Sequence, residues 1–113
     1  MLVAVQFGAS AAMAKAGEWT GNDLIRFCTS DKPNAKAKDR DEEDRVTYCA
    51  GYWEATVTSI YMFDGRWACV PPKTTPADLL FATVEWLRRH PDQKQYLAAS
   101  DAFAAVHAKW PCP

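Results

Sequence analysis

The stretch Arg45–Phe63, RVTYCAGYWEATVTSIYMF, decides the fold of this chain. Its apolar residues Val46, Cys49, Ala50, Trp53, Val57, Ile60 and Tyr61 recur at helical steps, the pattern of an amphipathic helix with one face turned to a core. Gly51 lies between two turns that carry aromatic residues, where a missing side chain would let another backbone come close. A rival reading has residues behind it too. Thr56, Val57, Thr58 and Ile60 are β-branched, and such a run also suits a strand. The stripe persists through more than four turns, so a helix is the expectation.

Upstream, Thr20-Gly21-Asn22-Asp23 opens a short helix. Thr20 can cap it, and Asp23 suits the positive end of the helix dipole. Leu24, Phe27 and Cys28 share a face, and the helix is expected to end near Cys28. Thr29–Asp44 is the most polar stretch, broken by Ser30, Pro33 and Asn34 and then densely charged from Lys36 to Asp44. It reads as a solvated loop leading into the central helix, with its acids near that helix's N-terminus. A contact surface for a charged partner is the alternative.

Downstream, Asp64-Gly65 marks a turn, followed by Arg66-Trp67. Trp67 either packs back onto the core or joins Arg66 as an exposed pair of the type that anchors protein interfaces. Asp64, Gly65, Arg66 and Trp67 are therefore the candidate partner-binding residues. Cys69-Val70-Pro71-Pro72 must be extended. Thr75 then caps a helix with Pro76 at its first position. Ala77, Leu80, Phe81, Val84 and Leu87 form the expected inner stripe, flanked by Leu79 and Trp86. Arg88-Arg89-His90 complements the negative end of that helix, and Pro91 stops it. Asp92–Gln95 is a connector. The last helix begins near Tyr96–Ala99. Ala99, Phe103, Val106 and Trp110 form its expected face, and Ala98, Ala102 and Ala105 allow a neighbour close. Pro111 ends it beside Cys112.

With 113 residues, 49% hydrophobic and 24% charged, the chain suits one folded domain with one core, placed at 17–113. A net charge of -1 argues against a nucleic-acid binder, which needs a basic face. Met1–Ala16, MLVAVQFGASAAMAKA, contains no acid and offers small-x-small cleavage sites. It reads as the remnant of a secretory signal peptide, with an Ala-rich first helix as the alternative. No apolar run is long enough for a transmembrane helix.

Export places Cys28, Cys49, Cys69 and Cys112 in an oxidising compartment, where paired cysteines persist. They contain no Cys-x-x-Cys, so a structural zinc site of the usual spacing is not expected. Four cysteines allow three pairings. Each lies near a helix end, and antiparallel helical hairpins join Cys28 to Cys49 and Cys69 to Cys112. Chemistry is sparse. Phosphate-loop, Gly-x-Ser-x-Gly and His-Glu-x-x-His motifs are missing. His90 and His107 could each serve as a base but suit structural roles, the staples consume every thiol, and Glu54 lacks a second acid at helical spacing. No catalytic residue, metal or cofactor is expected.

Taken in order, the helix ending at Cys28, Cys49-Ala50-Gly51-Tyr52, Cys69-Val70-Pro71 with Thr75 and Leu79, Val84–Pro91, and the Ala-rich helix closing on Trp110-Pro111-Cys112 form a pattern. It resembles the Rap/Tai family of type VI secretion immunity proteins over about Thr20–Cys112. Trp53 and Ala55 stand where that family commonly has an aliphatic residue and a second glycine. The resemblance implies a small all-α, HdeA-like four-helix bundle. It further implies a periplasmic, often dimeric protein that binds and occludes a peptidoglycan amidase effector. A periplasmic chaperone of the HdeA kind, opened by acid, is the rival function.

Overall fold

Two capping boxes start two of the four helices found among the described residues. A computed structural model of the chain describes residues 17–29 and 40–113. The expected leader Met1–Ala16 and residues 30–39 of the polar stretch lie outside the described residues. Helix α1 spans Gly21–Cys28, α2 Arg40–Met62, α3 Pro76–Arg89 and α4 Ala98–Lys109, with a short 3₁₀ turn at Pro91–Gln93. No strand occurs among the described residues. At α1, the Asp23 N–H donates to Thr20 Oγ1 at 3.4 Å and the Thr20 N–H to Asp23 Oδ2 at 3.0 Å. At α3, Thr75 and Asp78 exchange the same bonds at 3.1 and 2.9 Å, with Pro76 in the first turn. Each box satisfies backbone donors that the first turn leaves open.

The central segment is helical through Met62, and its helix starts at Arg40, so the charged run from Arg40 to Asp44 belongs to the helix rather than to the loop. The β-branched and hydroxyl residues do not prevent this. Thr56 Oγ1 donates to Tyr52 O at 2.8 Å, Thr58 to Glu54 O at 3.0 Å and Ser59 to Ala55 O at 3.0 Å. The hydroxyls thus find acceptors within the helix itself. Cys49, Trp53, Val57 and Ile60 are buried as expected, together with Thr56. Ala50 and Tyr61 are exposed instead, because the buried face stays centred on Trp53, Val57 and Ile60 through the last turns. Gly51 is also exposed, and no described backbone approaches it.

Helix α3 is rotated from its expected stripe. Leu79, Ala82, Thr83, Val84, Trp86 and Leu87 are buried, whereas Ala77 and Phe81 are exposed and Leu80 is half-buried. Two adjacent stripes on this helix carry apolar residues, and hydropathy cannot choose between them. Thr83 makes the inner one possible, since its hydroxyl donates to Leu79 O at 2.8 Å and carries no unmet polar group into the core. Trp53 Nε1 fastens α2 to the start of α3 by donating to Pro76 O at 2.8 Å. On α4, the alanines expected to admit a neighbour are the core face. Ala98, Ala102, Ala104, Ala105 and Val106 are buried, while Ala99, Phe103 and Trp110 form a half-buried flank. Small side chains let α3 and α4 pack closely, and that pair has the most extensive contact in the bundle.

Backbone bonds pin the N-terminus of α1 to the α3–α4 connection. The Gly21 N–H donates to Tyr96 O at 3.0 Å, Asn22 to Lys94 O at 2.9 Å, and Ala98 to Trp19 O at 2.9 Å. A Cβ on Gly21 would lie 2.5 Å from Asp101 Oδ2, 2.9 Å from Leu87 Cδ2 and 3.1 Å from the Lys94 Cα. Gly21→Ala is accordingly expected to destabilise the fold by about 1–3 kcal/mol, as overpacked cores do, read as a lowered urea midpoint. A midpoint unchanged from the parent would contradict this close approach.

The disulfides are Cys28–Cys49, with Cα atoms 5.6 Å apart, and Cys69–Cys112, at 4.9 Å. This is the pairing expected from the helix ends. The first ties the end of α1 to α2. The second ties the segment before α3 to the end of α4, where the Cys69 N–H also donates to Trp110 O at 2.8 Å.

Candidate protein-binding site

The α2–α3 turn is locked by short-range backbone bonds. The Arg66 and Trp67 N–H groups both donate to Phe63 O, at 3.1 and 3.0 Å. Gly65 donates to Ala68 O at 2.7 Å and has φ +86°, a left-handed conformation that side chains with a Cβ resist. Asp64 Oδ1 accepts from the Val70 N–H at 2.9 Å. Asp64 and Gly65 therefore shape the turn.

Trp67 follows the packing alternative. Its ring is half-buried, its Nε1 donates to Phe103 O at 3.0 Å, and its own carbonyl accepts from His107 Nδ1 at 2.6 Å. The two rings lie 4.6 Å apart, centroid to centroid. Phe63 meets Phe103 edge to face at 6.0 Å. Trp67 and Phe63 thus buttress the turn against α4.

What the turn presents outward is different in kind. Arg66 is exposed, and so are Tyr61, Met62 and Phe63, which precede it with Asp64 and Gly65 between, Met62 at 74%. Tyr61 is held in place by its hydroxyl, which donates to Thr74 O at 3.0 Å. Three consecutive large apolar residues and an arginine on the same turn offer aromatic and cationic anchors on a rigid support. Sequence reasoning named Arg66 and the turn but placed Tyr61 in the core and passed over Met62 and Phe63. The usable signal was the aromatic-Met-aromatic run at the end of a helix, directly before a turn. Tyr48, Phe81 and this run are the large exposed apolar residues among those described.

The residues considered for catalysis are engaged elsewhere or isolated. His90 Nδ1 donates to Trp86 O at 2.8 Å, with the rings stacked 4.5 Å apart, and His107 is bonded as above. Glu54 is exposed on α2. All four cysteines are in disulfides, and no cluster of His, Cys, Asp or Glu with metal-holding geometry occurs among the described residues. No described helix is long and apolar enough to cross a membrane.

One buried group was not foreseen. Asp101, in the first turn of α4, has no solvent exposure, and neither carboxylate oxygen has a hydrogen-bond partner. Burial pushes its carboxyl up to about 7. Nearby, Tyr52 accepts from the Ala99 N–H at 3.0 Å. The Tyr52 hydroxyl is pushed upward by burial first, with smaller contributions from Tyr48, Glu18 and Asp101.

Compared with known proteins, residues 20–112 match the model of the Rap1a immunity proteins. No curated protein matches the chain.

Proposed function

Because the chain belongs to the Rap1a immunity protein family, we propose that it neutralises a secreted effector by binding it, and that the effector is a peptidoglycan amidase of type VI secretion met in the periplasm. The observation that supports a binding role on this chain is the rigid turn carrying exposed Tyr61, Met62, Phe63 and Arg66. Disulfide-tied helices hold that surface in one shape, which limits the ordering cost of association. Inhibition is by occlusion: the turn covers the cleft, with Arg66 and the apolar run as anchors, Trp67 as their support, and Asp64 and Gly65 setting the bend. The two disulfides fit an oxidising compartment.

An acid-opened chaperone fits less well. Such a protein must loosen as pH falls, whereas protonating Asp101 removes a buried charge, a contribution that favours the fold as pH falls and opposes that of Asp78.

The test is inhibition of an amidase effector from the producing cell on purified cell-wall sacculi. Equimolar chain should abolish turnover. Met62→Asp with Arg66→Glu should weaken the complex about 30-fold or more, the scale of losing a hot spot of about 2 kcal/mol. Undiminished turnover at tenfold molar excess of chain would remove the amidase reading. Full inhibition by the double variant would move the contact away from this turn. Sedimentation of the same preparation tests the homodimer.

A further inference from the structure

A groove of about 620 Å³ runs between α3 and α4 on the side of α4 away from the α2–α3 turn. The turn rests on Phe103 and His107, whereas the groove is bordered by Ala105, Ala108 and Lys109, which project from the opposite face of the same helix. The groove exists because Ala82, Ala105 and Ala108 fill little of the space between the helices. Trp86 and the His90 ring stacked on it form one wall.

Two features of the lining point to a ligand. The first is charge. Arg89 and Lys109 both border the groove, and none of its lining residues is an acid, in a chain whose net charge is -1. Cations near helix C-termini complement the dipoles, but that does not require two of them to line one opening; the Lys109 ammonium lies over the Trp110 ring, 5.8 Å from its centroid. The second is an unmet acceptor. Gln93 also lines the groove, and its Oε1 is buried without a hydrogen-bond partner. Its Nε2 is directed at Asp92 Oδ2, 3.3 Å away. A buried acceptor left open calls for a donor from outside.

Two cations and an open acceptor along one groove match an extended segment that offers carboxylates and main-chain N–H groups. We propose that the groove binds an extended acidic segment of a protein partner. Side-chain carboxylates of the segment would pair with Arg89 and, further along the groove, with Lys109, a main-chain N–H would donate to Gln93 Oε1, and the segment would lie over the alanine floor. This contact is separate from the effector surface at the turn.

The test is a nuclear magnetic resonance titration of the full, oxidised chain with the capped peptide acetyl-Gly-Asp-Glu-Gly-amide. Saturable shifts are expected at the Trp86, Gln93 and Ala105 resonances. Affinity should fall at least tenfold for the Asn-Gln version of the peptide, and at least tenfold in the Arg89→Gln, Lys109→Gln variant. Both substituted residues are exposed, so the variant should keep the parent's circular dichroism and melting curve. Gln93→Leu should weaken the acidic peptide while leaving its preference over the Asn-Gln version intact. Absence of saturable shifts, equal binding of the two peptides, or the same shifts from acetate alone would overturn the proposal. Inhibition of the amidase is measured in parallel with the Arg89, Lys109 variant. Unchanged inhibition beside lost peptide binding separates this site from the turn, and lost inhibition would overturn that separation.

Discussion

Asp101→Asn is expected to remove a loss of stability, at most about 4 kcal/mol, that the wild-type chain incurs as pH rises from about 4 to about 7. The carboxyl is fully buried, both oxygens lack partners, and burial lifts it from an ordinary value of 3.8 to about 7. A group whose affinity for protons is higher in the folded state binds more protons there than in the unfolded chain. Its favourable contribution is complete below the ordinary value, declines as pH rises through the interval, and is gone above the raised one. The groups around it do not reverse this sign. Tyr52 on α2 stays neutral over the range because its own hydroxyl is pushed upward, and Lys94 meets this site through its backbone. Asp78 acts in the other direction, since its hydrogen bonds from Thr75 lower its carboxyl and favour the fold above acid pH. It is common to both proteins and cancels in the difference. Urea unfolding of wild type and variant at pH 4, 5, 6, 7 and 8 measures the effect. The two curves should converge in acid and separate towards neutrality, and parallel curves would refute the assignment.

The second large effect is expected from the Cys69–Cys112 clasp. The two residues are 43 apart in sequence, and a closed loop of about that size restricts the unfolded chain by about 4 kcal/mol in the loop-entropy model. Replacing both cysteines by serine should lower the unfolding free energy by that order, a large part of a small domain's stability. The smaller Cys28–Cys49 loop, with a separation of 21, should cost about 3.4 kcal/mol when opened. The two losses should differ in consequence as well as in size. Cys69 follows directly on the turn, and Cys112 follows α4, the helix whose Phe103 and His107 hold Trp67. Opening this clasp should therefore loosen the binding surface. Opening Cys28–Cys49 should spare it at temperatures where the variant remains folded. Urea unfolding without reductant, paired with amidase inhibition, checks both. A loss below about 1 kcal/mol for the serine pair would show that the unfolded chain gains little freedom from the cut.

Much of the architecture was readable before any coordinates. Thr20 with Asp23, and Thr75 ahead of Pro76, mark helix starts, and the bonds that make them, Thr20–Asp23 and Thr75–Asp78, close within three residues, so sequence distance and spatial distance coincide. His90-Pro91 and Trp110-Pro111 mark ends for the same local reason. The cysteine pairing followed because helix ends are few and only some can meet. The family pattern was legible because it is a string of such local and covalent features.

Facing was another matter. On α3 the stripes through Phe81 and through Thr83 are neighbours, and the hydroxyl of Thr83 became a core group only because Leu79 O lies one turn below it. On α2 Tyr61 belonged to the apolar stripe by spacing, yet Thr74 O, 13 residues on, drew its hydroxyl outward and left Met62 and Phe63 beside it on the surface. Trp67 went inward because Phe103 O, 36 residues away, accepts from its indole. Asp101 was invisible as a buried carboxyl, since its burial comes from packing with the far end of the chain, where Gly21 of α1 lies against it. Hydrogen bonds within a turn of helix write themselves into residue order. The choice of which face meets which neighbour is made by groups tens of residues apart, and that required the assembled bundle.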